Sequence, residues 1–327
     1  MAVRHVISIA ELGVDNLAEM VELALQAASN GHSKSPPLKG KVVGIYFRGT
    51  STRTRTAFSV GAIKLGANII AYGPNDLQIV TGETAPDTAR VLSGYLDALV
   101  MRTNQSVEEM RAMAAQDRMS IINAMSDNEH PTQAVADMVT LKEEFGSLNG
   151  IHVLYVGEGN NTASAVSLAV SLTPGMQLTL ITPEGYGLPK DALDLAQDLA
   201  RQNGSRVEEH HRIDRLPKGV DAVYATRWQT MGQPKADPNW LEVFRPFKVT
   251  QRMMAEVSKP SGTIFLHDLP AVRGGDVDDE VLDGPQSRSF RQAWHKMTSA
   301  MAILKWCVAS QDTSHNRSSR RARGVAS

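Results

Sequence analysis

Short runs of uninterrupted apolar residues, each followed by a stretch with helical periodicity, constrain this chain more than any other feature. Val42-Val43-Gly44-Ile45-Tyr46-Phe47 is the clearest run, and its lack of polar alternation is the pattern of a strand covered on both faces. Asn68-Ile69-Ile70, Asp97-Ala98-Leu99-Val100-Met101 and Ser120-Ile121-Ile122 repeat it, with helix-like stretches between them. Ahead of the series, Asp15 caps a helix that places Leu17, Met20, Val21, Ala24 and Leu25 on one face. A Ser, Lys, Pro and Gly linker from Asn30 to Gly40 joins this helix to the first run. A second series follows Gly146-Ser147-Leu148-Asn149-Gly150: Ile151 to Val156, Gln177 to Ile181, Val220 to Tyr224 and Thr263 to Leu266, with a helix pattern over Asp191 to Arg201. Strands alternating with helices predict parallel sheets, hence an α/β chain of two doubly wound domains. A last helix, Phe290 to Cys307, carries Phe290, Ala293, Trp294, Met297, Met301 and Leu304 on one face, expected to be its buried one.

The length of 327 residues suits two such domains. With 42% apolar and 21% charged residues the composition excludes disorder and fibrous repeats. Balanced charge, 34 Lys+Arg against 35 Asp+Glu, supplies no global field for nucleic acid, so any anion site is local. Cys307 is the only cysteine, which rules out an internal disulfide, a Cys-based zinc cluster and a C-x-x-C pair, and predicts a reducing, cytoplasmic setting. No segment reads as a membrane span or a signal peptide, so no membrane partner is expected. Gln311 to Ser327, with Arg317, Arg320, Arg321 and Arg323, reads as a flexible, solvated basic tail; a nucleic-acid or membrane-surface arm is the alternative.

Ligands of open α/β sheets bind beyond the carboxyl ends of the strands, so the residues that follow each run are the candidates. After Phe47 come Ser51-Thr52-Arg53-Thr54-Arg55 and a helix pattern. Hydroxyls, guanidiniums and the free N–H groups of a helix start make a phosphate cradle without a Walker lysine. Arg102 ends the run to Met101, and His130-Pro131-Thr132-Gln133 opens another helix pattern; together Arg102 and His130 can stabilise a carbonyl oxygen that gains charge. Gly157-Glu158-Gly159-Asn160-Asn161-Thr162 begins like a dinucleotide fingerprint but lacks its third glycine and the following acid. Asn160 and Asn161 either offer amides to an amino-acid substrate or form a plain strand-to-helix turn. In Thr226-Arg227-Trp228-Gln229-Thr230-Met231-Gly232, Arg227 and Gln229 alternate by two and so face the same way, able to clamp a carboxylate, while Trp228 packs on the domain. His267-Asp268-Leu269-Pro270 follows the last run.

Ser-Thr-Arg-Thr-Arg at 51–55, Arg102 and His-Pro-Thr-Gln at 130–133, in this order and at these separations, resemble the aspartate and ornithine carbamoyltransferase superfamily from about Lys41 to Cys307. Gln78-Ile79 through Asp87-Thr88-Ala89-Arg90-Val91-Leu92 resembles the ornithine branch in particular. The resemblance implies a carbamoyl phosphate domain at 1–147, an acceptor domain at 148–289, a helix at 290–311 returning to the first domain, and the tail at 312–327. Phosphate is then expected on Ser51, Thr52, Arg53, Thr54 and Gln78, the last reaching into a neighbouring subunit's site of a homotrimer. The carbonyl faces Thr54, Arg102 and His130, which are the expected catalytic residues; Gln133 and the Leu269 carbonyl take the carbamoyl amino group. No metal or other cofactor is implied.

The acceptor site departs from both branches. The ornithine branch reads Asp-x-Trp-x-Ser-Met-Gly and His-Cys-Leu-Pro, whereas this chain has Thr226 for the first Asp and Asp268 for the Cys. His295-Lys296 stands where an Asn-Arg pair is expected, which places Lys296 among the donor's ligands. Thr226-Arg227-x-Gln229 is similar to the aspartate branch instead, yet Met231-Gly232 follows in place of Glu-Arg. The expected acceptor is therefore a carboxylate-bearing amine, its carboxylate on Arg227 and Gln229 and its amine near Asp268 and Leu269, with Asn160, Asn161 and Met231 contributing. Ordinary ornithine carbamoylation and a non-catalytic ligand-binding protein are the alternatives.

Overall fold

The structure, a computed structural model, describes residues 3–29, 36–229 and 234–309. Met231 and the tail at 312–327 lie outside the described residues. In chain order the strands are β1 (Val42–Phe47), β2 (Asn68–Tyr72), β3 (Ala98–Arg102), β4 (Ser120–Met125), β5 (His152–Val156), β6 (Gln177–Ile181), β7 (Arg206–His210), β8 (Ala222–Ala225) and β9 (Ile264–His267). The helices are α1 (Ile9–Ser29), α2 (Arg53–Lys64), α3 (Ala85–Leu92), α4 (Glu108–Ala114), α5 (Pro131–Phe145), α6 (Asn161–Ser171), α7 (Lys190–Asn203), α8 (Trp240–Phe244), α9 (Gln251–Val257), α10 (Asp279–Leu282) and α11 (Ser289–Leu304). None of these helices is long and apolar enough to cross a membrane.

All strands are parallel, in a four-stranded sheet of order β2-β1-β3-β4 and a five-stranded sheet of order β7-β6-β5-β8-β9. Each order reverses once, between β1 and β3 and between β5 and β8. A crevice opens at such a reversal because successive crossovers leave to opposite faces. The α/β, doubly wound reading of the sequence therefore holds for both sheets. α11 packs on α1, α2 and α5, so the last of these helices lies against elements of the first sheet's half.

Two local expectations are corrected, and one strand was missed. α1 starts at Ile9, not after Asp15, and bends at Gly13, whose φ of 71° suits glycine. Its start is capped from afar, since Ile9 N donates to Glu129 Oε1 at 2.7 Å, a partner no local pattern could reveal. β7, Arg-Val-Glu-Glu-His, was not legible as a strand because it has a single inward apolar residue; it is a sheet edge, where polar strands are tolerated. In the first turns of α11 the buried face is also not the apolar one: Phe290 is 59% and Trp294 36% exposed, whereas Gln292, His295, Lys296, Thr298 and Ser299 are buried; Leu304, at the far end of the expected face, is buried as expected. Three of them have partners there, Gln292 on Asp137, His295 on Glu143 and Thr298 on His295, whereas Ser299 Oγ is buried without a hydrogen-bond partner among the described residues.

Candidate functional site

The two crevices merge into one cleft of about 250 Å³. Its walls are the loops after β1, β3, β4, β5, β8 and β9, together with Lys296 from α11.

The β1 loop ends in Thr52, the N-cap of α2, whose hydroxyl makes no capping bond. The first N–H groups of a helix lack intrahelical partners, and Ser51, Thr52, Arg53 and Thr54 all line the cleft around them. Such an arrangement can hold an anion on backbone and hydroxyl donors. Arg55, read from the sequence as part of that cradle, turns away: it donates to Phe47 O at 3.3 Å and covers the Phe47 ring.

Arg102, at the end of β3, is 5% exposed, and its Nε has no hydrogen-bond partner among the described residues. Burial, with the nearby Arg53 charge, lowers its pKa to about 10, opposed by Asp268. His130 is the N-cap of α5 and is buried. Burial first, then the Lys296 and Arg102 charges, hold its imidazole well below the ordinary histidine value, so the ring is neutral near pH 7. Its Nδ1 lies 3.3 Å from Thr132 Oγ1; a donating Thr132 hydroxyl leaves the ring proton on Nε2. Lys296, nearly buried in the same wall, has its pKa lowered by burial, with Asp268 pulling the other way.

Among the described residues Asp268 is the one carboxylate lining this cationic cleft. Thr162 Oγ1 donates to its Oδ2 at 3.0 Å, and Thr226 Oγ1 stands 3.3 Å from both oxygens. Next to it, Leu269 has φ 53°, a left-handed conformation that costs a non-glycine residue about 1–2 kcal/mol. The turn is held at both ends: Leu269 N donates to His267 Nδ1 at 2.9 Å, and Leu269 O accepts from Arg53 Nη2 at 2.8 Å. Strain held this way is typical of residues that aim a group into a site.

Arg227 and Gln229 line the cleft, and Trp228 between them points the other way, its ring 5.6 Å from that of Phe244. Asn160 and Asn161 line it too, but their side chains have structural partners. Asn160 Oδ1 caps α6 by accepting from Thr162 N and Ala163 N, and Nδ2 donates to Thr226 Oγ1. Asn161 Nδ2 donates to Ser126 O, and Asn161 O accepts from His130 N, which ties the two halves together. The turn reading accounts for the capping bonds of Asn160, while the contacts to Thr226 and Ser126 are long-range. Gly159 is required by a close approach: a Cβ there would stand 2.2 Å from the Gly187 carbonyl carbon.

Thus Ser51, Thr52, Arg53, Thr54, Arg102, His130, Gln133, Leu269, Lys296, Asn160, Asn161, Arg227, Gln229 and Asp268 converge on one cleft. Gln78 does not; it lies on an exposed turn at Gln78–Thr81, bonded to Thr81. Thr162 and Asp137 were missed. Asp137 follows Gln133 by one helical turn, a spacing that was available, and it is completely buried. Burial raises its carboxyl above the usual range, against the hydrogen bonds from Gln292 and Gln133.

Comparison with known proteins agrees with this geometry. Residues 4–143 match the family described as aspartate/ornithine carbamoyltransferase, carbamoyl-P binding domain, and residues 149–307 match its Asp/Orn binding domain. The chain is 38% identical over 303 residues to an ornithine carbamoyltransferase of Caldicellulosiruptor saccharolyticus, covering 92% of this chain and 97% of that one. It is 36% identical to one of Methanothermobacter thermautotrophicus, covering 93% and 99%. The solved ornithine carbamoyltransferase from Pyrococcus furiosus superposes with a TM-score of 0.86 at 32% identity, covering 94% and 97%. The chain belongs to the aspartate/ornithine carbamoyltransferase family, and is a transferase of that kind.

Proposed function

We propose that this enzyme transfers the carbamoyl group of carbamoyl phosphate to the amine of an acceptor that also bears a carboxylate. The observation that carries the acceptor half is a carboxylate, Asp268, held by Thr162 and Thr226 in the same cleft as Arg227 and Gln229. Charges of both signs suit a zwitterionic acceptor. The first half of the chain, 1–147, holds the donor and 148–289 the acceptor, with 290–311 returning Lys296 to the donor.

In this reading the phosphate lies on Ser51, Thr52, Arg53 and Thr54, with Lys296 adding charge. The donor carbonyl faces Thr54, Arg102 and the Nε2–H of His130, and its amino group faces Gln133 and the Leu269 carbonyl. The uncharged acceptor amine attacks the carbonyl carbon, the C–N bond forms, and the oxygen becomes an oxyanion held by those donors. Each donor of this type is worth roughly 10²–10³ in rate. The C–O bond to phosphate then breaks, and the departing phosphate takes the proton released by the amine. Holding both substrates in one cleft supplies the rest of the acceleration. The exposed place of Gln78, outside its own cleft, supports its use by a neighbouring subunit of a homotrimer, and a lone buried thiol fits a cytoplasmic enzyme.

A second reading, ornithine itself as acceptor, is favoured by the names of the relatives. The acid missing at 226 is then supplied from 268. The experiment is Arg227→Ala: the acceptor KM is expected to rise at least about tenfold while the carbamoyl phosphate KM stays within about twofold. Equal rises in both contradict the assignment.

A further inference from the structure

Gln133 has an amide with opposite polarity at its two ends, and which end faces the cleft decides whether the site accepts from a ligand or donates to it. Its Nε2 donates to Asp137 Oδ1 at 2.6 Å. Its Oε1, the other end of the same planar group, is buried without a hydrogen-bond partner among the described residues, in a side chain that lines the cleft. A buried, unpartnered acceptor is costly unless a ligand fills it.

Asp137 is held from two further directions. Gln292 Nε2 donates to the same Oδ1 at 2.7 Å, and Tyr224 OH donates to Oδ2 at 3.1 Å. The amide of Gln292 is itself fixed, because its Oε1 accepts from His267 N at 2.9 Å, and a backbone N–H can only donate. The polarities agree from β9 through α11 to α5: the His267 N–H orients Gln292, Gln292 presents its amino end to Asp137, and Asp137 Oδ1, an acceptor in its own right, takes both Gln292 and Gln133. A proton on Oδ2, with the Tyr224 hydroxyl oxygen then accepting, leaves the two Oδ1 contacts intact.

We propose that Asp137 is a positioning residue that fixes the amide of Gln133 with Oε1 toward the cleft, and so makes the enzyme select a donor whose acyl carbon carries an N–H group over one carrying a methyl group. The proposal rests on the reading above that Gln133 faces the carbamoyl amino group. It assigns to Asp137, which touches no substrate, the discrimination between carbamoyl phosphate and acetyl phosphate.

The test is the ratio of dissociation constants for acetyl phosphate and carbamoyl phosphate, by calorimetry on the full-length enzyme. Asp137→Ala is expected to narrow the ratio about tenfold or more, through weaker carbamoyl phosphate binding with acetyl phosphate unchanged. Asp137→Ser, less demanding on folding, offers a hydroxyl that both donates and accepts, and is expected to narrow the ratio too. Asp137→Asn can still accept at Oδ1 and should retain it. Gln292→Leu opens the same buried network from the other side but leaves Asp137 bonded to Gln133, and should retain it as well. A purely structural role would weaken both donors equally in Asp137→Ala and Gln292→Leu, and that result overturns the proposal; so does a ratio that survives Asp137→Ala and Asp137→Ser. A wild-type enzyme with no preference between the two donors contradicts the donor-site reading itself, and the proposal with it.

Discussion

Thr226 Oγ1 stands 3.3 Å from both carboxylate oxygens of Asp268, joining the ends of β8 and β9 at one negative charge. Thr226 also accepts from Asn160 Nδ2, so the hydroxyl is oriented with its proton toward the acid. Asp268 in turn offsets the Arg53, Arg102 and Lys296 charges around it. Asp268→Asn therefore has two effects of opposite sign. Acceptor kcat/KM is expected to fall roughly 10- to 100-fold, the worth of a hydrogen bond to a charged group. Inorganic phosphate is expected to bind more tightly, because the surrounding cations lose their counter-charge. Weaker phosphate binding, measured by calorimetry, contradicts this.

Glu129 gives a stability prediction with a defined sign. Its carboxyl accepts from Ile9 N and is buried, and burial raises its pKa to about 7. An unfolded glutamate titrates near 4.3, so from about pH 4.5 to 7 the folded state binds the extra proton and stability falls as pH rises. Glu129→Gln keeps an acceptor for Ile9 N without the charge. The variant is expected to have the higher Tm at pH 8, with the gap closing toward pH 5. A gap independent of pH refutes the assignment.

Lys296 sits where burial favours its neutral form, so its charge is lost at lower pH than that of an ordinary lysine. Phosphate affinity is accordingly expected to decline on the alkaline side of neutrality. Lys296→Arg, which stays charged, should move that decline upward by at least about one pH unit. Coincident profiles for the two proteins would assign the titration to another group.

Much of the fold was legible because strands buried on both faces leave continuous apolar runs, and the doubly wound order follows from their alternation with helices. The cleft was legible for a related reason: ligands of such sheets bind beyond the strand ends, and Ser51, Arg102, His130 and Asp268 lie at a strand end or in the loop that follows one. Less was legible where a partner is distant in sequence. Glu129 capping α1, Gln292 reaching Asp137 and the polar inner face of α11 depend on tertiary contacts that no helical period encodes. Asn160 shows the opposite limit. An asparagine before a helix is a cap on local grounds, and its Oδ1 makes those capping bonds here.

The most direct measurement is ureido-product formation from carbamoyl phosphate with ornithine, N-acylated ornithines, lysine, small diamino acids, aspartate and putrescine. Turnover is expected with an acceptor that carries both an amine and a carboxylate, and not with putrescine, which offers nothing to Arg227 and Gln229. Equal turnover of putrescine and the amino acids, or no ureido product from any of them together with no stabilisation by carbamoyl phosphate, contradicts it.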